Sequence, residues 1–237
     1  MTERPQALLA FDTSGTYGSV AISVDGAVRA GLVLAERSQH AARLLPAIDE
    51  VLQEVGIGVG DIGGLVVGEG PGSFTGVRVA AATAKGLVMA LGVPLRPVSS
   101  LAAAAAVSVL DRPSASPATG IRYALFDARA DRVYGACYEL DGRGMRELVA
   151  PHPGSIDDVV REGVPEGAVF TGDGALKHRA RLEDAGHRVA SGAGAVPLAA
   201  GLLVCASLGG APEVKDSGAW EPRYVRASSA ERLWGAL

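Results

Sequence analysis

The stretch Gly68-Glu69-Gly70-Pro71-Gly72-Ser73-Phe74-Thr75-Gly76-Val77-Arg78 sets four glycines, a proline and two hydroxyls directly behind the apolar run Ile62-Gly63-Gly64-Leu65-Val66-Val67. A strand entering a glycine turn and then a helix is the setting of phosphate loops, so the spacing decides what chemistry is available. A Walker A loop requires Gly-Lys-Ser/Thr four residues after its first glycine, because the lysine must reach the terminal phosphate. Counted from Gly70 and from Gly72, those places hold Thr75-Gly76 and Val77-Arg78. A dinucleotide GxGxxG also fails, ending on Ser73 from Gly68 and on Thr75 from Gly70. The looser set Gly70, Gly72 and Gly76 fits, but Pro71 removes one backbone N–H from any anion cradle. The glycines therefore read as positions of close backbone approach, with Ser73 or Thr75 capping the helix that follows.

A second candidate is Asp12 in Phe11-Asp12-Thr13-Ser14-Gly15, at a predicted strand end. There a carboxylate could hold hydrated magnesium while Thr13 or Ser14 touches phosphate. The alternative is an Asx-type turn in which Asp12 accepts from the backbone it opens. Gly172 and Gly174 form the corresponding turn later in the chain, so Asp12, Thr13, Ser14, Gly172 and Gly174 are the nucleotide-binding candidates. Asp127 is the matching acid of the later half. The histidines are His40, His152, His178 and His187; no two are four apart, and no GxSxG elbow occurs, so zinc-protease and esterase chemistry lack a local signature. Cys137 and Cys205 sit singly in apolar runs and read as buried thiols.

These residues need elements to position them. The segment Ala7–Ala35 reads as a three-strand meander turning at Asp25-Gly26. Residues 38–55 follow with apolar positions at helical spacing, Ser38 as candidate N-cap, Gly56 as stop and Pro46 as a predicted kink. A buried strand enters the glycine turn, and the helix after it, residues 75–91, is rich in small side chains. A short strand and a helix capped by Ser99 or Ser100 complete a first lobe, residues 1–110. The Pro-, Ser- and Ala-rich stretch 111–120 reads as a linker. The pattern then restarts: Phe126-Asp127 lies 115 residues after Phe11-Asp12, and Gly172-Asp173-Gly174 follows between a predicted strand and a predicted helix, as Gly68-Glu69-Gly70 did. Two echoes in the same order predict an internal duplication, giving paired α/β lobes with mixed sheets facing a cleft. The second lobe is assigned to 121–210, and 211–237 to a segment returning to the first lobe.

Charge narrows the function classes. Among 237 residues, 22 Lys and Arg are outnumbered by 26 Asp and Glu, so no net positive field draws in nucleic acid and any contact with RNA would be indirect. The N-terminus lacks a signal-peptide pattern and no run reaches ~18 uninterrupted apolar residues. The expectation is a cytoplasmic protein without membrane contact.

Taken together, Leu8-Leu9-Ala10-Phe11-Asp12-Thr13-Ser14-Gly15, the Gly68–Arg78 motif, Tyr123–Leu140 and Glu221-Pro222-Arg223-Tyr224-Val225-Arg226 resemble the TsaB family of the tRNA threonylcarbamoyladenosine machinery, once grouped with M22 glycoprotease-like proteins. The resemblance implies an actin-like (acetate and sugar kinase, Hsp70, actin) two-lobe fold with duplicated sheet and helix domains. Related TsaD enzymes carry two metal-ligating histidines where this chain has Ser100 and Ala104. It thus implies a non-catalytic subunit with no metal or cofactor of its own, ATP, ADP or magnesium being confined to a complex or lobe cleft. That subunit would pair with TsaD, meet TsaE through the pair, and form a homodimer when alone. It would support threonylcarbamoyl transfer to N6 of adenosine 37 in tRNAs reading codons that begin with A.

Family pairing through the two first-lobe helices makes His40, Leu44, Ile48, Gly76, Val77, Arg78, Ala80, Ala81, Ala84 and Val88 the partner-binding candidates. Arg78, poorly placed at the positive end of its helix, is expected to face an acidic group on this chain or on the partner. Two other classes stand as alternatives: an actin-fold ATP-dependent phosphotransferase using Asp12 and both glycine turns, and an M22-type peptidase.

Overall fold

The computed structural model describes residues 7–35, 39–107, 119–161, 163–190 and 198–224. Ser38, residues 111–118 of the expected linker, and 225–237 of the C-terminal segment lie outside the described residues.

Two five-stranded sheets repeat one topology. In the first, β1 (Ala7–Asp12), β2 (Gly18–Val24) and β3 (Ala27–Leu34) form the antiparallel meander, while β4 (Ile62–Gly68) and β5 (Leu95–Val98) extend it in parallel on the other side of β1. Asp25 and Gly26 both take left-handed φ, at 51° and 78°, the geometry a two-residue hairpin needs. In the second sheet β6 (Thr119–Asp127), β7 (Arg132–Asp141) and β8 (Met145–Ser155) repeat the meander, and β9 (Val169–Thr171) and β10 (Arg188–Val189) repeat the parallel pair. The strand orders β3-β2-β1-β4-β5 and β8-β7-β6-β9-β10 match position for position. β6 begins at Thr119, inside the stretch expected to be linker.

Period-two alternation divides each strand between two cores. Leu9 and Phe11 of β1 face α1 (His40–Val55) and α2 (Phe74–Leu91), whereas Ala10 faces the opposite side with Ala21 and Val66. In the second sheet Tyr123 and Leu125 face an outer layer of α4 (Ile156–Arg161), α5 (Asp173–Lys177) and α6 (Arg179–Asp184), while Ala124 and Phe126 face inward. The single helix expected after Gly174 is broken at His178 into α5 and α6.

Between the sheets lie α3 (Ser100–Val107) and α7 (Leu198–Ser207), every residue of α3 being buried. They cross over: α3, from the first half of the chain, packs on β6 and β7, whereas α7, from the second half, packs on β1, β2 and β4. The Ala199 N–H donates to Ser19 Oγ of β2 at 2.9 Å, fixing that crossing. A Cβ at Gly201 would overlap the Ala103 carbonyl oxygen, so the two helices touch backbone to backbone. This alanine-rich middle layer joins the two lobes through one continuous core.

α1 continues through Pro46 without interruption. Pro46 leaves the Ala42 carbonyl without its helical donor, and both residues are exposed, where water replaces the lost bond. Gln39, with no side-chain capping bond, precedes the helix.

Candidate functional site

The glycine turn and the Asp12-Thr13-Ser14 segment form one interlocked unit. Asp12, Thr13 and Ser14 are buried. The Asp12 Oδ1 accepts from the Ser14 N–H at 2.6 Å, the Asx-type turn, and Oδ2 accepts from Ser100 Oγ at 2.5 Å. Ser100 in turn accepts from Ser14 Oγ at 3.0 Å and from the Gly70 N–H at 3.2 Å. Its single hydroxyl donor and two acceptor sites are all used. Thr13 Oγ1 donates to the Gly76 carbonyl at 2.6 Å, and the Ser73 N–H donates to the Ser14 carbonyl at 2.7 Å.

The glycines permit this closeness. A Cβ at Gly68 would overlap the Asp12 carboxylate, one at Gly72 the Ser14 carbonyl, and one at Gly76 the Thr13 carbonyl. The turn therefore grips the end of β1, with the Gly70 and Ser73 N–H groups bonded to Ser100 and Ser14. Ser73 is the N-cap, accepting from the Gly76 N–H at 3.4 Å. The metal-ligand positions implied by the TsaD resemblance hold the committed Ser100 hydroxyl and the buried Ala104 methyl.

Gly172 and Gly174 play the same part in the second lobe. Their added Cβ atoms would run into the backbone of Leu125, Phe126 and Asp127. The Asp173 carboxylate accepts from the Asp127 N–H at 3.0 Å and, across the lobes, from Thr16 Oγ1 at 2.6 Å. Burial pushes the Asp127 carboxyl up, but the bonds from Lys177 and from the Arg129 N–H outweigh it and hold it below the usual carboxylate range. Behind the Thr16–Asp173 bond is a cleft of about 70 Å³, lined by Gly15–Ser19, Ala104, Phe126 and Gly172 among others. Ligand pockets span about 300–1,000 Å³, so in this state the cleft has room for little more than water.

The partner-binding candidates divide sharply. His40, Leu44 and Ile48 face inward on α1, and Gly76, Val77, Ala80, Ala81 and Ala84 face inward on α2. His40 Nε2 accepts from the Gly18 N–H at 2.9 Å, a bond within the first lobe. These eight positions are corrected from partner face to core. The sheet claims the apolar stripe of α1, and the small residues of α2 let its backbone sit close to β1 and β4. Val88 is half-buried and Arg78 is exposed.

The outward residues are instead Thr75, Arg78, Ala82, Gly86, Met89 and Ala90 on α2, and Ala41, Ala42 and Leu45 are exposed on α1. Met89 is 84% exposed and Leu45 56% exposed. α2 has a mean hydropathy of 1.3 over 18 residues, yet 28% of it is buried. It is long and apolar enough to cross a membrane, but it lies along its own sheet with a small-residue stripe uncovered. Periodicity alone could have found that stripe, since 75, 78, 82, 86 and 89 follow one helical face.

The segment from Ala211 to Tyr224 runs along this lobe. The Val214 N–H donates to the Leu95 carbonyl at 3.0 Å and the Arg223 N–H to the Glu69 carbonyl at 3.0 Å. Lys85 of α2 reaches the Gly218 carbonyl at 3.0 Å and Glu221 at 3.1 Å. Burial raises the Glu69 carboxyl above its ordinary value, partly offset by the Arg223 guanidinium 3.8 Å away. Among the described residues Arg78 meets no carboxylate: its Nε donates to Tyr224 Oη at 3.3 Å, and its guanidinium lies 3.9 Å from the Phe74 ring centre. Burial raises the Cys137 and Cys205 thiols to about 11 and about 12, so both are inert.

Comparison with known proteins bears on this geometry. A family model described as TsaD, tRNA N6-adenosine threonylcarbamoyltransferase, matches residues 33–202. The tRNA threonylcarbamoyladenosine biosynthesis protein TsaB of Bacillus subtilis is 30% identical over 233 residues, 96% of this chain and 97% of that one. TsaB of Haemophilus influenzae is 46% identical over 98 residues, 41% of each chain. A crystal structure of a Pseudomonas aeruginosa protein described as similar to peptidase YEAZ superposes with a TM-score of 0.75 at 29% identity, covering 93% of this chain and all of that one.

Proposed function

Because this chain belongs to the TsaB family of tRNA threonylcarbamoyladenosine biosynthesis proteins, we propose that it is the non-catalytic subunit that pairs with TsaD and activates it. In this reading TsaD transfers the threonylcarbamoyl group to N6 of adenosine 37, in tRNAs reading codons that begin with A. The present chain supplies a docking surface, meets TsaE through the TsaD pair and meets tRNA only indirectly. Its place is the cytoplasm, where tRNA modification occurs.

One observation carries the reading: the uncovered stripe Ala82, Gly86, Met89 and Ala90 on an apolar helix. Small residues let a second helix approach closely, and an exposed methionine adapts to its partner's shape. In this reading the same stripe would also carry a homodimer in the absence of TsaD.

Support for a supporting rather than catalytic role comes from Asp12 and Ser100, whose polar atoms are consumed by the turn. Magnesium-dependent ATP binding by the purified chain, abolished in Asp12→Ala, would favour the phosphotransferase alternative instead.

The test is reconstitution of tRNA modification from TsaD and the enzyme supplying the carbamoyl-adenylate, with and without this chain. Modification should require it, and Ala82→Glu should abolish both pairing and modification while the monomer keeps its melting temperature. Full modification without the chain would refute the proposal.

A further inference from the structure

α2 carries two cations, and the chain treats them differently. Lys85 is neutralised within the molecule by Glu221 at 3.1 Å. Arg78 has no carboxylate partner among the described residues, although it is the fifth residue of α2, near the helix end whose dipole disfavours positive charge. It is nonetheless held in place. Its guanidinium carbon sits 3.9 Å from the Phe74 ring centre and 5.9 Å from that of Tyr224. The two rings are 5.3 Å apart at 42°, forming an open aromatic seat. Tyr224 itself is 42% exposed.

A seated guanidinium has lost much of its rotamer freedom before any partner arrives, yet among the described residues only Nε is engaged, by Tyr224 Oη at 3.3 Å. Its terminal N–H groups remain available as a fork, the geometry that matches a carboxylate with two parallel bonds. Arg78 is also continuous with the uncovered stripe, since Ala82, Gly86 and Met89 follow it turn by turn on the exposed side of α2. Arginine and tyrosine at the edge of an apolar patch are the residue types that dominate interface energetics.

We infer that Arg78, seated on Phe74 and Tyr224, receives a carboxylate side chain of TsaD at the N-terminal end of the α2 docking stripe. The inference rests on the proposed pairing and adds the chemistry of the partner: an Asp or Glu placed about one to two helical turns from the residue that covers Ala82. Lysine cannot replace this arginine, because an ammonium has neither the planar fork nor the stacking face. The C-terminal segment takes part indirectly, by supplying one ring of the seat.

The test measures dissociation constants of the purified chain with TsaD across a salt series, for wild type, Arg78→Gln, Arg78→Lys and Ala82→Glu, with melting temperatures confirming each fold. Arg78→Gln should weaken pairing about thirty-fold at low salt and reduce the salt dependence; Arg78→Lys should recover the salt dependence but not the affinity. Loss of affinity with unchanged salt dependence, or no loss, would overturn the carboxylate assignment while pairing through the stripe stands. Wild-type affinity in Ala82→Glu would instead overturn the pairing reading on which it rests.

Discussion

Ser100 donates its hydroxyl hydrogen to Asp12 at 2.5 Å, and both residues are fully buried. This bond joins the end of β1 to the start of α3, the helix that crosses to the second sheet. It makes the first-lobe turn and the lobe junction one structural unit. Removing the hydroxyl in Ser100→Ala strands Asp12 Oδ2, the Ser14 hydroxyl and the Gly70 N–H at once. A buried polar group left unpaired costs ~1–3 kcal/mol, so Ser100→Ala should lower stability by at least that much in denaturant melts. A loss within about 0.5 kcal/mol would show the network to be unimportant.

Two glycines of the same chain should respond in opposite directions. Gly76→Ala places a Cβ into the Thr13 carbonyl and should destabilise by at least the ~1–3 kcal/mol of an overpacked core site. Gly86 has nothing within 4 Å of an added Cβ and lies inside α2, so Gly86→Ala should stabilise the monomer by about 0.5–1 kcal/mol while weakening pairing. Calorimetry of the monomer and a pairing titration separate the two effects.

The Thr16–Asp173 bond is an exposed bridge across the cleft mouth. Thr16→Val keeps the shape and removes the bond, so global stability should change by less than about 1.5 kcal/mol. Hydrogen exchange should nevertheless quicken in residues 13–18 and 171–174, because local opening no longer breaks this contact. Unchanged exchange would mean that the middle layer alone keeps the lobes together.

Glu69 gives the pH prediction. Burial raises its folded-state value above 4.5, Arg223 offsetting part of the shift. A raised value means the folded state holds the proton more tightly than the unfolded state. The stabilisation is therefore complete below about 4.5 and is lost as pH climbs through the higher folded value. Glu69→Gln should flatten stability against pH in that window, and Arg223→Ala should steepen it by raising Glu69 further. Parallel curves for wild type and Glu69→Gln would contradict the burial effect.

Much of the fold was legible because local rules and the tertiary structure agree. The Asp25-Gly26 hairpin, the stop of α1 at Gly56 and the Ser73 cap follow from residue types at fixed places. The duplication was visible as repeated Phe-Asp and Gly-x-Gly signals, and the matching strand orders bear it out. β8 carried too little alternation to stand out, since its burial pattern is almost wholly half-exposed. The helix after Gly174 read as continuous, yet it divides at His178, where α5 ends and α6 begins.

The exposed face of the first-lobe helices was not legible in the sequence. Leu44, Ile48, Ala80 and Ala84 announce an apolar stripe and a small-residue side, but spacing does not say which of the two meets the sheet. Both do, and the face left open holds Ala82, Gly86 and Met89. Arg78 illustrates the same limit, since the ring that helps to seat it belongs to Tyr224, 146 residues away.

The sequence by itself determined the elements, their duplication and the glycine turn, because these depend on backbone sterics and short-range periodicity. Tertiary structure alone decided that the turn clasps Asp12, Thr13 and Ser14, that α3 and α7 exchange sheets, and which side of α2 is exposed. Those outcomes depend on distances between segments remote in the chain, and no local spacing encodes them.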